Sequence, residues 1–263
     1  MDASKQLRAT SRTSFMKVLN KLEGLIRSKT PAIIEIEVSV DTLIEKYNHS
    51  SQLLCVRLIS FVGQDFTVCM SQQSVSNCIL SVSSALNSVM NDYIRFPLQK
   101  SEQEFYDYSG FCGVTGAIDC THIAIIAPKD DDTHREQNYV NQKNFHSLNV
   151  QLVVDMQQNI LNISARFPGS SHDSYIWKSS DLRRLLQQAK LNDTWLLGDS
   201  GYPLDPWLLT PISGDNLSSS EEEYNRRHVS GSGTVERCNG TLKSRFRCLL
   251  KHRVLNYSPE TAA

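Results

Sequence analysis

Four acidic residues stand where the surrounding sequence makes a carboxylate chemically informative. Asp119 interrupts the apolar run 113–127, GVTGAIDCTHIAIIA. A bare carboxylate inside such a strand costs on the order of several kcal/mol unless it is paired or bound to a metal. Asp199 closes Thr194-Trp-Leu-Leu-Gly-Asp-Ser-Gly201 at a glycine-flanked turn, the place where open α/β sheets present ligand groups. Asp173 and Glu236 are each predicted in the first turn of a helix, where the dipole alone favours an anion. That simple explanation serves for these two and fails for Asp119. Two strand acids with one or two helix acids form a hard-oxygen set suited to Mg²⁺ or Mn²⁺. A pair of such ions ~4 Å apart activates a water or a 3′-hydroxyl and stabilises the leaving oxygen of a phosphodiester. The chain has 28 acids, so these four gain weight only from their positions.

Other polar groups rank lower. His122 and His172 lie beside Asp119 and Asp173, and a lone histidine more often hydrogen-bonds or packs than ligates, so both are assigned at most a supporting role. Asp155 leads into the turn Met156 to Asn159 and reads as a turn stabiliser. Tyr139, Lys143, Asn144 and Tyr202 are candidates for substrate contact that the sequence leaves open. From Arg226 to Arg253 eight basic residues (Arg226, Arg227, Arg237, Lys243, Arg245, Arg247, Lys251, Arg253) stand against one acid, Glu236. Such a segment suits a DNA backbone, or else a solvated cationic face contacting acids such as Glu221 to Glu223.

These residues need elements to hold them. The chain changes character near Phe96-Pro97, so residues 1–96 are taken as a helical region and 97–263 as the catalytic body. Val75, Cys78, Ile79, Val82, Leu86, Val89, Tyr93 and their neighbours repeat at helical spacing, with Ser71 or Ser74 as N-cap. Two shorter helices precede it. Together they form a helix-turn-helix module or a plain bundle, and periodicity favours the bundle, because the long helix carries no basic residue between Ser71 and Ile94. Lys5, Arg8, Arg12, Lys17, Lys21, Arg27 and Lys29 make the start of the chain a phosphate-binding arm or a solvated tail.

After Phe111 the pattern is mixed. Residues 113–127 and 146–155 read as strands, with 160–167 returning as a hairpin partner. Ser171 to Gln188 is predicted helical, 194–201 and 207–212 as strands, Asp215 to Tyr224 as an exposed loop, and 233–250 as a final helix. No repeat of fixed period is present.

Composition bounds the class. With 263 residues, 40% hydrophobic and 21% charged, the chain can bury a core, which excludes collagen-like, low-complexity and wholly disordered readings. The formal net charge of -1 means that a nucleic-acid surface must come from charge placement. No segment has the length of a membrane span or the apolar run of a secretory signal, so a soluble intracellular protein is expected. Seven cysteines without a C-x-x-C pair signal neither a disulfide framework nor a zinc knuckle, and are expected as small buried hydrophobes.

Gly116-Ala-Ile-Asp119-Cys-Thr-His122-Ile, His146-Ser-Leu-Asn-Val, Pro168-Gly-Ser-Ser-His-Asp173-Ser, Leu197-Gly-Asp199-Ser-Gly-Tyr-Pro203, Leu209-Thr-Pro211, Val235-Glu236-Arg and Leu242-Lys-Ser-Arg-Phe-Arg247 occur in that order. This series resembles the DDE transposases of the PIF/Harbinger superfamily, and especially the host nucleases derived from them, over about Ser71 to Pro259. The resemblance implies an α/β fold, an RNase H-like mixed sheet flanked by helices, behind the N-terminal helical region. It implies metal-dependent DNA cutting with Mg²⁺ or Mn²⁺, residence in the nucleus with the cytoplasm as a second location, DNA as partner, no membrane, and a separate Myb-like DNA-binding protein that aids import and site recognition. Asp119, Asp173, Asp199 and Glu236 fall on the family's acidic metal-binding positions. The separation of Asp199 from Glu236 joins a strand end to a later helix as that core demands, so Asp119, Asp199 and Glu236 are taken as the catalytic ligands, with Asp173 as a fourth. Two departures bear on activity. Ser230-Gly-Ser-Gly-Thr234 replaces a basic or bulky residue before the glutamate and is expected to loosen Glu236. The sequence also stops at Ala263, where relatives continue into a further helix, so the core is read as C-terminally truncated. Two functions follow: a nuclease, or a decayed or domesticated DNA- or partner-binding protein with a relic acid cluster.

Overall fold

The computed structural model describes residues 80, 83, 84, 86–88, 90–97, 103–130, 134–189 and 194–263. The chain divides into two units, Met1–Tyr93 and Ile94–Ala263. The proposed helix-turn-helix or bundle and the basic arm lie outside the described residues. Of the long helix expected from Val75 to Ile94, the described positions from 80 to 93 are helical.

The second unit is built on one five-stranded sheet. In chain order its elements are α1 (Gln103–Ser109), β1 (Val114–Ala124), α2 (Glu136–Tyr139), β2 (Ser147–Val154), β3 (Ile160–Pro168), α3 (Asp173–Lys178), α4 (Asp181–Ala189), β4 (Trp195–Leu197), β5 (Leu208–Leu209), α5 (Ser219–Arg245) and α6 (Pro259–Ala262). A 3₁₀ turn, Arg247–Leu249, follows α5. The sheet order is β3-β2-β1-β4-β5. β1, β2 and β3 pair antiparallel, while β4 runs parallel to β1 and β5 parallel to β4. This mixed sheet flanked by helices is the RNase H-like arrangement expected from the sequence.

All of β2 and most of β1 are buried, polar residues included, because both faces of the sheet are covered. Alternate residues divide between two cores, as the two-residue strand period requires. Ala117, Leu152 and Leu197 face one core with Val235 and Cys238 of α5. Ile118, Val153 and Leu196 face the other with Trp177, Leu182 and Leu186 of α3 and α4.

Several expectations are corrected. The helix predicted from Ser171 to Gln188 breaks into α3 and α4, because the Ser180 hydroxyl accepts from the Arg183 N–H at 3.1 Å and starts a new helix. The polar stretch Asp215 to Tyr224 is only partly loop. Ser218 and Glu221 form a reciprocal capping box: Ser218 N–H donates to Glu221 Oε2 at 2.7 Å and Ser218 Oγ accepts from Glu221 N–H. Helix α5 therefore begins at Ser219, and the acids that suggested a loop favour its first turn. Glu236 is consequently well inside a 27-residue helix rather than in its first turn. The glycines before it are helical as well. A Cβ on Gly231 would meet Leu197 Cδ1 at 2.5 Å, so this glycine lets α5 lie close against β4. The cysteines are also more varied than expected: of the four described, Cys238 is buried, Cys120 is half-buried, and Cys112 and Cys248 are exposed.

Candidate active site

The parallel register of β1 and β4 pairs Gly116 with Leu196 and Ala117 with Leu197. Two residues further along each chain lie Asp119, still within β1, and Asp199, past the end of β4, so the pairing brings the turn that carries Asp199 out beside the strand that carries Asp119. β4 ends at Leu197, and Asp199 emerges on an exposed turn. Its Oδ1 accepts from the Gly201 N–H at 2.9 Å. A Cβ placed on Gly201 would stand 3.1 Å from Asp199 Oδ1 and 3.5 Å from Asp173 Oδ2, so these two carboxylates face a common point beside that glycine. Asp173 opens α3, as expected. Glu236 is exposed on α5, which crosses the same side of the sheet as Asp119.

Asp119 is half-buried, and its carboxyl is pushed up to about 7. Burial is the largest cause, because it penalises the charged form; the charges of Asp199, Asp173 and Glu236 act in the same direction, and the Cys120 N–H, donating to Oδ1 at 2.7 Å, opposes them. All four acids thus act on one electrostatic site. Among the described residues none of them is ion-paired to a lysine, arginine or histidine. Also among the described residues, no three His, Cys, Asp or Glu side chains are drawn tightly enough together to enclose a metal ion. The donor chemistry fits a hard divalent cation: four carboxylates, three of whose charges act on Asp119, offer oxygen donors with no direct ion pair among the described residues.

Two asparagines brace the acids, and sequence reasoning missed both. Asn149 of β2 donates its amide N–H₂ to Asp173 Oδ1 at 3.0 Å and to the Ser171 carbonyl at 2.9 Å. Asn239 of α5 donates to Asp119 Oδ2 at 3.0 Å. The carbonyl oxygen of each amide is buried without a hydrogen-bond partner among the described residues. The available sequence signal was the spacing of Asn239, three residues after Glu236 and so on the same helix face. Asn149 had no comparable signal, because strand pairing brings it opposite His122.

The lesser candidates separate cleanly. The His122 ring shares a hydrogen bond with Ser147 Oγ at 3.1 Å, and burial lowers its pKa, while nearby Asp173 opposes that shift. His172 is exposed at the start of α3 and makes no side-chain cap. Asp155 accepts from Asn159 N–H and Nδ2 at 2.8 Å each, the turn role expected of it. Tyr139 and Tyr202 are core residues with 8% and 5% exposure; Tyr202 hydroxyl lies 3.2 Å from Cys120 Sγ. Lys143 and Asn144 are exposed. Lys243 donates to the His122 carbonyl at 3.0 Å, and its pKa is lowered by burial and then by Lys143, while Asp119 opposes that shift, which places Lys243 near Asp119. Arg226 and Arg227 both pair with Glu223. Arg245, Arg247, Lys251 and Arg253 are exposed.

No helix among the described residues is long and apolar enough to cross a membrane. Residues 118–263 match the family described as DDE superfamily endonuclease. A Rattus norvegicus protein named "Putative nuclease HARBI1" is 38% identical over 199 residues, covering 73% of this chain and 56% of the relative. The Homo sapiens protein of the same name is 37% identical over the same shares. "Protein ALP1-like" of Arabidopsis thaliana is 30% identical over 206 residues, covering 73% of this chain and 50% of that protein. This chain therefore spans about half the length of the curated relatives it matches. No solved structure matches it. The fold, the acidic site and these matches together mean that the chain belongs to the DDE superfamily endonuclease family.

Proposed function

We propose that this protein is a divalent-metal-dependent DNA endonuclease of transposase origin. Asp119, Asp199 and Glu236 hold Mg²⁺ or Mn²⁺, with Asp173 as a fourth ligand. The observation that carries this reading is Asp119 itself, a half-buried strand carboxyl pushed up to about 7 by burial and by three other acids. A folded protein that keeps such a cluster has a use for concentrated negative charge.

Each residue has a task in phosphodiester cleavage. Asp119 presents a braced carboxylate, with both oxygens already accepting one donor each. Asp199 and Glu236 are exposed and complete the ligand set from the turn after β4 and from α5. Divalent cations held there supply Lewis-acid stabilisation of the attacking and leaving oxygens. Lys243 and the exposed Arg245, Arg247, Lys251 and Arg253 meet the DNA backbone, each phosphate contact adding affinity that salt removes. Residence in the nucleus and a Myb-like DNA-binding partner belong to the same reading.

A second reading is a DNA- or partner-binding protein that no longer cuts. It is favoured by the absence, among the described residues, of a closed metal-ligand cluster. A nicking assay on supercoiled DNA separates the two. The expected result is cutting that requires Mg²⁺ or Mn²⁺ and falls at least about 1,000-fold in Asp119→Ala, the scale of losing a central catalytic group. Binding that leaves the plasmid intact under every metal condition refutes the nuclease.

A further inference from the structure

We infer that Asn239 is a positioning residue of this site, fixing the orientation of Asp119 and tying it to the helix that carries Glu236. The inference rests on the nuclease reading above and deepens it.

The two oxygens of Asp119 are held from different elements. Oδ1 accepts from the next backbone N–H, that of Cys120, at 2.7 Å, and Oδ2 accepts from Asn239 Nδ2 at 3.0 Å. The first contact comes with the strand. The second comes across 120 residues of sequence, from α5. Two donors on two oxygens fix the rotation of a carboxylate about its Cβ–Cγ bond, which a single donor does not. Each oxygen keeps a second lone pair for a cation.

The amide is oriented by the acid. Turned the other way, its carbonyl would oppose a carboxylate oxygen, so Nδ2 must be the atom that faces Asp119. The carbonyl Oδ1 is then left buried with no partner among the described residues. Packing alone gives no reason to place an amide there, since an apolar side chain of the same size would bury no orphaned oxygen. The Asp119 contact supplies the reason.

Position on the helix completes the argument. Asn239 follows Glu236 by three residues, so both lie on one face of α5, about 4.5 Å apart along its axis. Val235 and Cys238 on the neighbouring face are buried in the core and set where α5 lies, independently of Asn239. The amide therefore couples two already positioned elements: it presents Asp119 to the site at a fixed angle relative to Glu236. Partners of this kind hold metal-binding groups in productive orientation, and their loss costs 10- to 100-fold in metal affinity or activity.

The test uses the full chain and titrates Mn²⁺ calorimetrically, with nicking kinetics and melting of the metal-free protein alongside. Asn239→Leu removes the donor at nearly constant volume. The expected result is Mn²⁺ affinity weakened roughly 10- to 100-fold, kcat lowered with KM for DNA unchanged, and a metal-free protein that still melts cooperatively, its midpoint lowered only by the loss of one hydrogen bond. Asn239→Gln, which keeps a primary amide, recovers part of the loss. If Asn239→Leu fails to fold, Asn239→Ala takes its place. Mn²⁺ affinity equal to the parent in the folded variant overturns the inference, as does an Asn239→Gln protein that recovers nothing. Parent binding abolished by Asp119→Asn but indifferent to Asn239→Leu overturns this inference alone. A parent that binds no Mn²⁺ overturns the nuclease reading and this inference with it.

Discussion

The four acids divide into two kinds. Asp119 and Asp173 are partly buried and each accepts a hydrogen bond from an asparagine amide reaching in from another element. Asp199 and Glu236 are exposed; among the described residues Asp199 is held by the local Gly201 N–H, and Glu236 relies on where α5 lies. The difference is physical. A carboxylate partly withdrawn from water loses some of its solvent hydrogen bonds, and neighbours replace them. One on the surface keeps them, and its placement depends on the packing of the element beneath it. Side-chain bracing thus positions one half of the site, and helix and strand packing the other.

The sharpest way to break this contrast is pH. An unfolded aspartate ionises near ~4, while Asp119 in the folded protein ionises at about 7. Between those values the folded state binds more protons than the unfolded state, so stability of the metal-free protein falls as pH rises across that window and levels off above it. Asp119→Asn is expected to remove most of that fall, as read by melting from pH 4 to 8. Metal-dependent nicking should rise over the same window, because the carboxylate must lose its proton to bind a cation. A melting profile identical to the parent places the acid in water, and the braced class collapses.

The packing half is tested at Gly231. An alanine Cβ there would stand 2.5 Å from Leu197 Cδ1 in the packed core, so Leu197 must shift or α5 must move away from β4. Gly231→Ala should destabilise by about 1–3 kcal/mol in denaturant unfolding, and nicking should fall by more than the unfolded fraction explains, because Glu236 moves with the helix. Unchanged activity in the folded fraction means that Glu236 adjusts freely. The smallest effect is expected at the far end of α5. Ser218→Ala removes the capping box and should cost about 1 kcal/mol, with kcat unaltered, since the cap lies more than four turns from Glu236.

Part of this was legible in the chain alone. A charged residue in the run 113–127 is conspicuous because burial of charge is costly, and the glycine turn after 194–197 is conspicuous because strands end where backbone must turn. Local rules therefore reach Asp119 and Asp199 directly. They misplaced Glu236, since the serine-rich acidic stretch before it has loop composition, and only the reciprocal pairing of Ser218 with Glu221 shows that a helix has already begun. They also read Gly231 as loosening the helix, where the fold uses it for close approach to Leu197.

The sequence by itself determined which residue types are available and on which elements the first three acids ride, because strand alternation, turn glycines and apolar runs are nearest-neighbour physics. The tertiary structure alone decided that the turn after β4 comes out beside the strand of Asp119, that Asp199, Asp173 and Glu236 act electrostatically on Asp119, and that Asn149 and Asn239 serve two of the acids. Those facts depend on strand register and helix docking, which follow from packing of residues far apart in the chain and leave no local pattern to read.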